Sequence, residues 1–302
     1  MKNISFILLL IFSFQNIKGQ LYLNRSYPDS LNNKRLYSII GTELVTYTAG
    51  MSFLQFIWYK DHERVPFHYY NDWNGYLNID KVGHAYTAYR ESYSAYYALR
   101  WAGLDKKRAL WLGGPVGLIF QTPIEIFDGV YENWGFSWYD MAANTFGSAL
   151  FTVQEAFFDE QIVLMKFSYA PSAYRELHHT LGETHLESFF YDYNGHTYWL
   201  SANINKITGI KKVPQWLNIA FGYSANGMIF EFHNPTTYMG KAFPNLPRYR
   251  QYLLSLDVDL SRVQTNKKWL RNICKTVNLI KVPFPTLEYN QFEGIVFKPV
   301  YF

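Results

Sequence analysis

The spacing of apolar residues changes near residue 160, and this change constrains the fold more than any other feature of the chain. Before that point, apolar residues recur at helical spacing in four long stretches, which are 35–59, 80–102, 106–127 and 137–158. After it come shorter β-prone stretches, most of which alternate apolar with polar residues, at 197–205, 216–224, 252–260 and 294–302. Because an α-helix repeats every 3.6 residues and a β-strand every two, the sequence predicts an α+β protein. We expect a four-helix bundle in 35–160 and an antiparallel β-rich domain in 161–302.

Two of the predicted helices, 106–127 and 137–158, are apolar on nearly every side. Such a helix is either enclosed in a protein core or faces lipid. Pro115 and Pro123 are expected to kink or split the first of them, because proline lacks the amide hydrogen. Aromatic residues make up 20% of the chain, and Tyr and Trp are enriched where proteins meet membrane interfaces. We therefore expect the bundle to be membrane-associated, with a compact bundle in water as the alternative.

Each predicted strand carries one apolar and one polar face. Two arrangements fit this pattern: an antiparallel sheet that covers a core, and a small barrel whose apolar side faces lipid in an outer membrane. The terminal Phe302 resembles the aromatic last residue of outer-membrane barrels, whereas Lys298 on the same face argues against that arrangement. Pro283 and Pro285 indicate irregular or edge backbone before the last strand. Residues 266–277 are predicted to form a short basic helix.

The N-terminal residues have the composition of a secretory signal peptide. One lysine supplies positive charge, 4–14 form the apolar segment, and a polar stretch ends on the small residue Gly19. We predict a signal peptide at 1–19 and a linker at 20–34. The mature protein is then extracytoplasmic, in the bacterial cell envelope, at the outer membrane or in the periplasm. The one cysteine of the chain is Cys274, so no cysteine lies directly after the apolar segment. No lipoprotein anchor is therefore expected there.

Charge and motifs exclude several kinds of partner. The formal net charge is +4, and the basic residues are spread along the chain, so no nucleic-acid partner is expected. The sequence contains neither a glycine-rich phosphate loop nor a G-x-S-x-G element, so we expect no nucleotide and no serine nucleophile. No cofactor is predicted. The expected partner is membrane lipid or another envelope protein.

Polar residues interrupt three of the predicted helices at spacings that place them on one face of each helix. In chain order these polar stripes are Asp80, Lys81 and His84; Gln121, Glu125 and Asp128; and Ser137, Asp140 and Asn144. If the stripes face one another, they form a polar cluster in an apolar interior, where an unpaired charge costs several kcal/mol. The candidates for catalysis are His84, Glu125, Asp128 and Asp140, and the candidates for binding are Asp80, Lys81, Gln121, Ser137 and Asn144.

Three interpretations of this cluster remain open. Helix caps and turns account for the members that begin or end helices, without any ligand. The others could form a structural network of hydrogen bonds and ion pairs. Alternatively, His84 is a general base or metal ligand, Glu125 and Asp128 are acids, bases or metal ligands, and Asp140 orients His84. One histidine with three carboxylates could hold a divalent cation, although the metal is unknown.

The order and spacing of these motifs resemble a known family. D-K-x-x-H at 80–84, E-x-x-D at 125–128 and G-x-S-x-x-D-x-x-x-N-x-x-G at 135–147 are similar to the YfiM-like family of bacterial envelope proteins. They are more distantly similar to the VanZ-like family of membrane proteins. The resemblance covers 79–158 and implies a small helical domain at a bacterial membrane, without an established biochemical activity. The chain departs from the YfiM-like pattern because it lacks the lipobox cysteine and has an added β-rich half.

Two functions of different classes follow. The favoured one is a non-enzymatic, membrane-associated envelope protein that acts in cell-envelope maintenance. The alternative is a hydrolase or transferase that acts on a lipid-linked or cell-wall substrate through His84, Glu125, Asp128 and Asp140. A third hypothesis, glycan binding by the β-rich half, depends only on its Tyr and Trp residues.

Overall fold

The computed structural model describes residues 27–28, 30–60, 62–238 and 241–302. The signal peptide predicted at 1–19 lies outside the described residues. The described chain places long helices in its N-terminal half and an antiparallel six-stranded sheet in its C-terminal half. The predicted mixture of helix and antiparallel sheet is therefore confirmed.

The chain divides into two compact units. The helical unit contains the residues up to Asp72 together with His84–Gln161. The sheet unit contains Trp73–Gly83 and Ile162–Phe302. The boundary between the units falls within one long helix, so Asp80 and Lys81 belong to the sheet unit although His84 belongs to the helical unit.

The long helices follow the predicted stretches closely. They are α1 (Asn33–Phe53), α2 (Ile79–Trp101), α3 (Lys106–Gly113), α4 (Val116–Asp128) and α5 (Trp138–Phe158), and a π-helical turn, Leu54–Trp58, follows α1. Side chains of Asn32, Asp105 and Ser137 cap three of them, each accepting a backbone N–H three residues later at 3.0–3.1 Å. Because Pro115 cannot donate a backbone hydrogen bond, the predicted helix 106–127 is split there into α3 and α4.

Glycines allow α4 and α5 to approach α2 closely. A Cβ atom on Gly117 would lie 2.0 Å from the carbonyl oxygen of Ala88, and one on Gly147 would lie 2.0 Å from that of Ala85. No side chain fits at either contact, so the backbones pack directly against each other. These contacts bring the polar stripes of the helices together, because Gln121 follows Gly117 by one helical turn and Asn144 precedes Gly147 by one turn.

The sheet is antiparallel throughout, with strand order β1-β2-β3-β6-β7-β8. Its strands are β1 (Val163–Tyr169), β2 (His196–Asn203), β3 (Leu217–Asn226), β6 (Tyr249–Val258), β7 (Phe284–Asn290) and β8 (Gly294–Tyr301). A separate ribbon pairs β4 (Thr237–Tyr238) with β5 (Lys241–Ala242). Three short helices complete the second half: α6 (His185–Tyr191), α7 (Ile204–Thr208) and α8 (Lys268–Val277).

The structure refines two local predictions in the sheet unit. The predicted strand 197–205 ends at Asn203, because its side chain caps α7 by accepting the N–H of Lys206 at 3.0 Å. Pro285 lies inside β7, where the register with β8 shifts between Phe284 and Thr286. The proline is accommodated at this irregularity because a proline residue cannot donate to a regular ladder.

The sheet is strongly curled. Although β3, β6 and β7 separate β2 from β8, the ring of Tyr301 in β8 packs against Trp199 in β2, with 5.9 Å between centroids. The Tyr301 hydroxyl also lies 3.2 Å from Thr197 Oγ1. The outer edge of β1 is paired as well, because Phe167 exchanges backbone hydrogen bonds of 3.0 Å with Leu279 and Lys281. The sheet therefore encloses an interior.

Candidate functional site

The imidazole of His84 lies between two buried carboxyl groups inside the helical unit. Its Nδ1 is 3.5 Å from Oε1 of Glu125, and its Nε2 is 3.8 Å from Oδ1 of Asp140. Glu125 on α4 is 1% exposed and Asp140 on α5 is 4% exposed, so water is largely excluded from both carboxyl groups. Three of the four candidates for catalysis, His84, Glu125 and Asp140, thus lie together.

Asn144 is the fourth member of this His84 cluster. It is fully buried on α5, and its Oδ1 lies 3.3 Å from Nδ1 of His84. Its Nδ2 has no hydrogen-bond partner among the residues that the structure describes. Since Asn144 and Glu125 both face Nδ1, that nitrogen can donate its proton to either of them, which fixes the orientation of the ring.

The fourth candidate for catalysis, Asp128, is bound to a tyrosine. Tyr59, which is almost fully buried, donates a hydrogen bond from its hydroxyl to Oδ1 of Asp128. Burial and the nearby carboxylate of Asp128 raise the pKa of Tyr59, so the hydroxyl stays protonated and remains a donor. This contact supports the structural interpretation for Asp128 more than a role beside His84.

Two acidic residues that the sequence did not single out join this interior. Gln121 donates from Nε2 to both carboxyl oxygens of Glu91 on α2, at 3.0 Å each. Burial raises the pKa of Glu91 to about 8, and burial raises that of Glu43 on α1 to about 7. Glu91 follows His84 by seven residues and therefore lies on the same helical face, a spacing that could have identified it. Glu43 lies outside the polar stripes, and the sequence holds no comparable signal for it.

The remaining binding candidates have local partners. The Ser137 hydroxyl donates to Oδ1 of Asp72 at 2.6 Å and accepts the N–H of Asp140, so it caps α5 as the first interpretation expected. In the sheet unit, Nζ of Lys81 lies 2.9 Å from Oδ2 of Asp80, and the Tyr193 hydroxyl donates to Oδ1 of Asp80 at 3.2 Å. Ser137 therefore has a capping role, whereas Asp80 is held by its neighbour Lys81 and by Tyr193 from a distant part of the chain.

The His84 cluster has the groups needed for two kinds of chemistry. A histidine between two carboxylates can accept a proton and pass it on. Catalytic hydrogen bonds that are slightly long in a free enzyme often shorten when a substrate binds. The same nitrogen and oxygen donors are ligands that Zn²⁺ accepts. Each ring nitrogen faces a different carboxyl group, so a cation bound at one nitrogen would leave the opposite carboxyl group to hold the ring.

A family model matches the segment that carries this cluster. Residues 69–156 match the family described as Predicted periplasmic lipoprotein (DUF2279). The matched segment is less than a third of the chain and includes all four members of the His84 cluster. No curated protein and no solved structure matches the chain. The match confirms the predicted extracytoplasmic location in the cell envelope, and the family description names no reaction.

The buried carboxyl group of Glu91 predicts that stability falls as the pH rises. Its ordinary pKa is 4.5 and its folded pKa is about 8, so between these values the folded chain keeps a proton that the unfolded chain has lost. The free energy of unfolding must therefore decline across this window. We expect Glu91→Gln, which keeps an acceptor for Gln121, to reduce the decline, as measured by chemical denaturation in detergent micelles at pH 5 and pH 8. If the variant declines as steeply as the wild type, another group is responsible.

Proposed function

We propose that this chain is a non-enzymatic, membrane-associated envelope protein that acts in cell-envelope maintenance, with its helical unit in contact with lipid. The observation that carries the proposal is the large exposed apolar surface of this unit. Its interior holds Glu125, Asp140 and Asn144 beside aromatic side chains such as Tyr89 and Phe151, whereas many other large apolar side chains are exposed. A protein folded in water buries more of its large apolar side chains, because burial of apolar surface drives folding there.

The exposed apolar residues of the helical unit occur on every long helix except α2. Trp111 on α3 is 74% exposed and Phe157 on α5 is 78% exposed. The others include Tyr37, Ile40, Leu44, Val45, Phe56, Leu112, Ile119, Ile126, Trp138, Phe146 and Val153. Exposed apolar surface of this extent marks a site of contact with membrane or protein.

Two further observations support the proposal. Among the described residues, the helical segment Lys106–Asp128, which consists of α3 and α4, is long and apolar enough to cross a membrane, and 28% of its most apolar window is buried. The motifs D-K-x-x-H, E-x-x-D and G-x-S-x-x-D-x-x-x-N-x-x-G lie within the matched family segment. We further propose on these motifs that the helical unit is a four-helix bundle of the YfiM-like type, distantly related to VanZ-like proteins.

Membrane retention tests this proposal. We expect the full chain to remain in isolated membranes during a carbonate wash and to be released by detergent. Phe157→Glu places a charge on the apolar surface and is expected to increase release into the wash several-fold, because a charged side chain is costly in hydrocarbon. Lys107→Gln, which changes the net charge by the same amount at an exposed position, is the matched control. Complete release of the wild-type chain would refute the proposal.

A second candidate function is a hydrolase or transferase that acts on a lipid-linked or cell-wall substrate. The observation in its favour is the position of His84 between Glu125 and Asp140, where the ring could act as general base with Asp140 as its orienting partner. His84→Ala and Glu125→Gln variants are expected to fail to restore growth of a deletion strain in detergent or cell-wall antibiotics, if this candidate is right. Variants that fold, as judged by circular dichroism, and that restore growth fully would eliminate it.

A further inference from the structure

The curled sheet turns most of its polar side chains inward and many of its large apolar side chains outward. On the inner face of β2, β3, β6 and β7, polar side chains are buried at most positions. They include Thr197, Ser201, Asn218, Ser224, Gln251, Ser255, Asp257, Thr286, Glu288 and Asn290. In β6, the same alternation leaves Tyr252, Leu254 and Leu256 exposed. The alternation seen in the sequence therefore points its apolar side outward.

Strand register joins the outward side chains into a continuous apolar band. Leu200 pairs with Phe221, Phe221 with Leu254, Leu254 with Leu287, and Leu287 with Phe297. All five are exposed, and they belong to five neighbouring strands, β2, β3, β6, β7 and β8. Because the sheet is curled, this band follows the convex side of the sheet and turns with it.

Ion pairing and hydrogen bonding satisfy much of the inner face. Nζ of Lys166 lies 2.7 Å from Oδ2 of Asp257, and both side chains are 0% exposed. The Ser201 hydroxyl donates to the same carboxylate oxygen at 2.6 Å, and Gln251 donates to Oε1 of Glu288 at 2.7 Å. These polar contacts lie beside a small apolar cluster of Trp199, Ala220 and Leu253, whereas many large apolar side chains of the strands are exposed on the other face.

The composition of the outer face changes in a fixed order along β3 and β6. The paired residues are apolar at Ile219 and Leu256 and aromatic with a polar hydroxyl at Tyr223 and Tyr252. Tyr252 also pairs with Tyr289, so a row of tyrosines crosses three strands of the sheet. Apolar residues bordered by a row of tyrosines follow the polarity of a bilayer from hydrocarbon to interface.

We propose that the outer face of the sheet is inserted into the hydrocarbon of a lipid bilayer, with the tyrosine row at the interface. Lipid fits this face because the band is continuous over five strands and because a row of tyrosines, which are enriched at membrane interfaces, borders it. The inference rests on the proposed function for the presence of a membrane, and it adds a second, separate lipid-contacting surface.

Spin-label accessibility in vesicles tests this inference on the full chain. Single cysteines are introduced into a Cys274→Ser background as Leu254→Cys and Leu287→Cys on the outer face, and the chain is reconstituted with phosphatidylethanolamine and phosphatidylglycerol. Ile207→Cys on α7 is the matched control, because Ile207 is also an exposed apolar residue of the sheet unit but lies outside the sheet. Each cysteine carries a nitroxide spin label. Collisions of the nitroxide with oxygen, which dissolves in lipid, are compared with its collisions with a water-soluble nickel chelate.

We expect labels at 254 and 287 to collide with the nickel chelate several-fold less often than the label at 207, and with oxygen more often. Equal access of the chelate at all three positions would overturn the inference, and shielding from both reagents would overturn it in favour of a protein partner. A label at Phe157→Cys on α5 separates this inference from the proposed function. If that label is exposed to lipid while the labels at 254 and 287 are exposed to water, only the inference about the sheet is refuted. Leu200→Cys and Phe221→Cys, on the same band, replace any variant that fails to fold.

Discussion

Replacing Asp257 with asparagine is expected to lower the free energy of unfolding by about 3–5 kcal/mol. The carboxylate accepts hydrogen bonds from Ser201 and from the backbone N–H of Val282, and it pairs with the buried ammonium group of Lys166. Removal of the negative charge leaves the buried ammonium group of Lys166 without its carboxylate partner, and neutral acceptors such as the carbonyl oxygen of Val258 replace it only in part. Urea denaturation in detergent micelles, followed by tryptophan fluorescence, measures the loss.

Two control variants separate the effect of burial from that of charge. Asp159→Asn breaks an ion pair with Lys106 in which Asp159 is 69% exposed, so its cost should be at most about 1 kcal/mol. A double variant, Lys166→Met with Asp257→Leu, removes both charges of this ion pair and should recover part of the stability that Asp257→Asn loses, while the nearby buried Lys281 stays. A cost for Asp257→Asn no larger than that of Asp159→Asn would show that water reaches the sheet interior.

Replacing Gly147 with alanine is the second change with a large expected effect. The new methyl group would overlap the carbonyl oxygen of Ala85, which belongs to the backbone of α2 and cannot move aside as a side chain can. Overpacking of this kind costs about 1–3 kcal/mol, and a direct clash with backbone should reach at least the upper end of that range. The displaced α5 carries Asp140 and Asn144, so the same variant should also separate these residues from His84.

Gly41→Ala provides the matched control for this prediction. Gly41 lies within α1, and a Cβ atom there would meet no atom within 4 Å. Since glycine within a helix is less stable than alanine by about 0.5–1 kcal/mol, this variant should be slightly more stable than the wild type. Denaturation midpoints of the two variants in the same detergent make the comparison. Equal stability of Gly147→Ala and the wild type would contradict the close contact between α2 and α5.

The helix positions and part of the candidate site could be predicted from local signals. Helical spacing together with capping residues such as Ser137 located the long helices within a few residues. The polar stripes identified His84, Glu125, Asp140 and Asn144, because polar residues on an otherwise apolar helix stand out. The separation of Asp128 from this group was not predictable, since its partner Tyr59 comes from a distant part of the chain.

Glu91 and Glu43 show a different limit of the sequence. The spacing of Glu91 from His84 places it on the same face of α2, but spacing alone does not show whether a glutamate is buried or solvated. Its burial follows from contact with Gln121 on another helix. The glycines at 117 and 147 were recognisable as small residues, yet only the packed structure shows which backbone each one approaches.

The sequence by itself determined that the second half consists of strands with one apolar and one polar face. An alternation with period two is the same whichever face is buried, so it contains no information about the direction in which the sheet curls. The tertiary structure decided this direction: the ion pair of Lys166 with Asp257 and the contact between Trp199 and Tyr301 hold the polar face inside. The apolar face, with Phe221, is outside for that reason, and in the inference proposed above it is lipid that provides its apolar contacts.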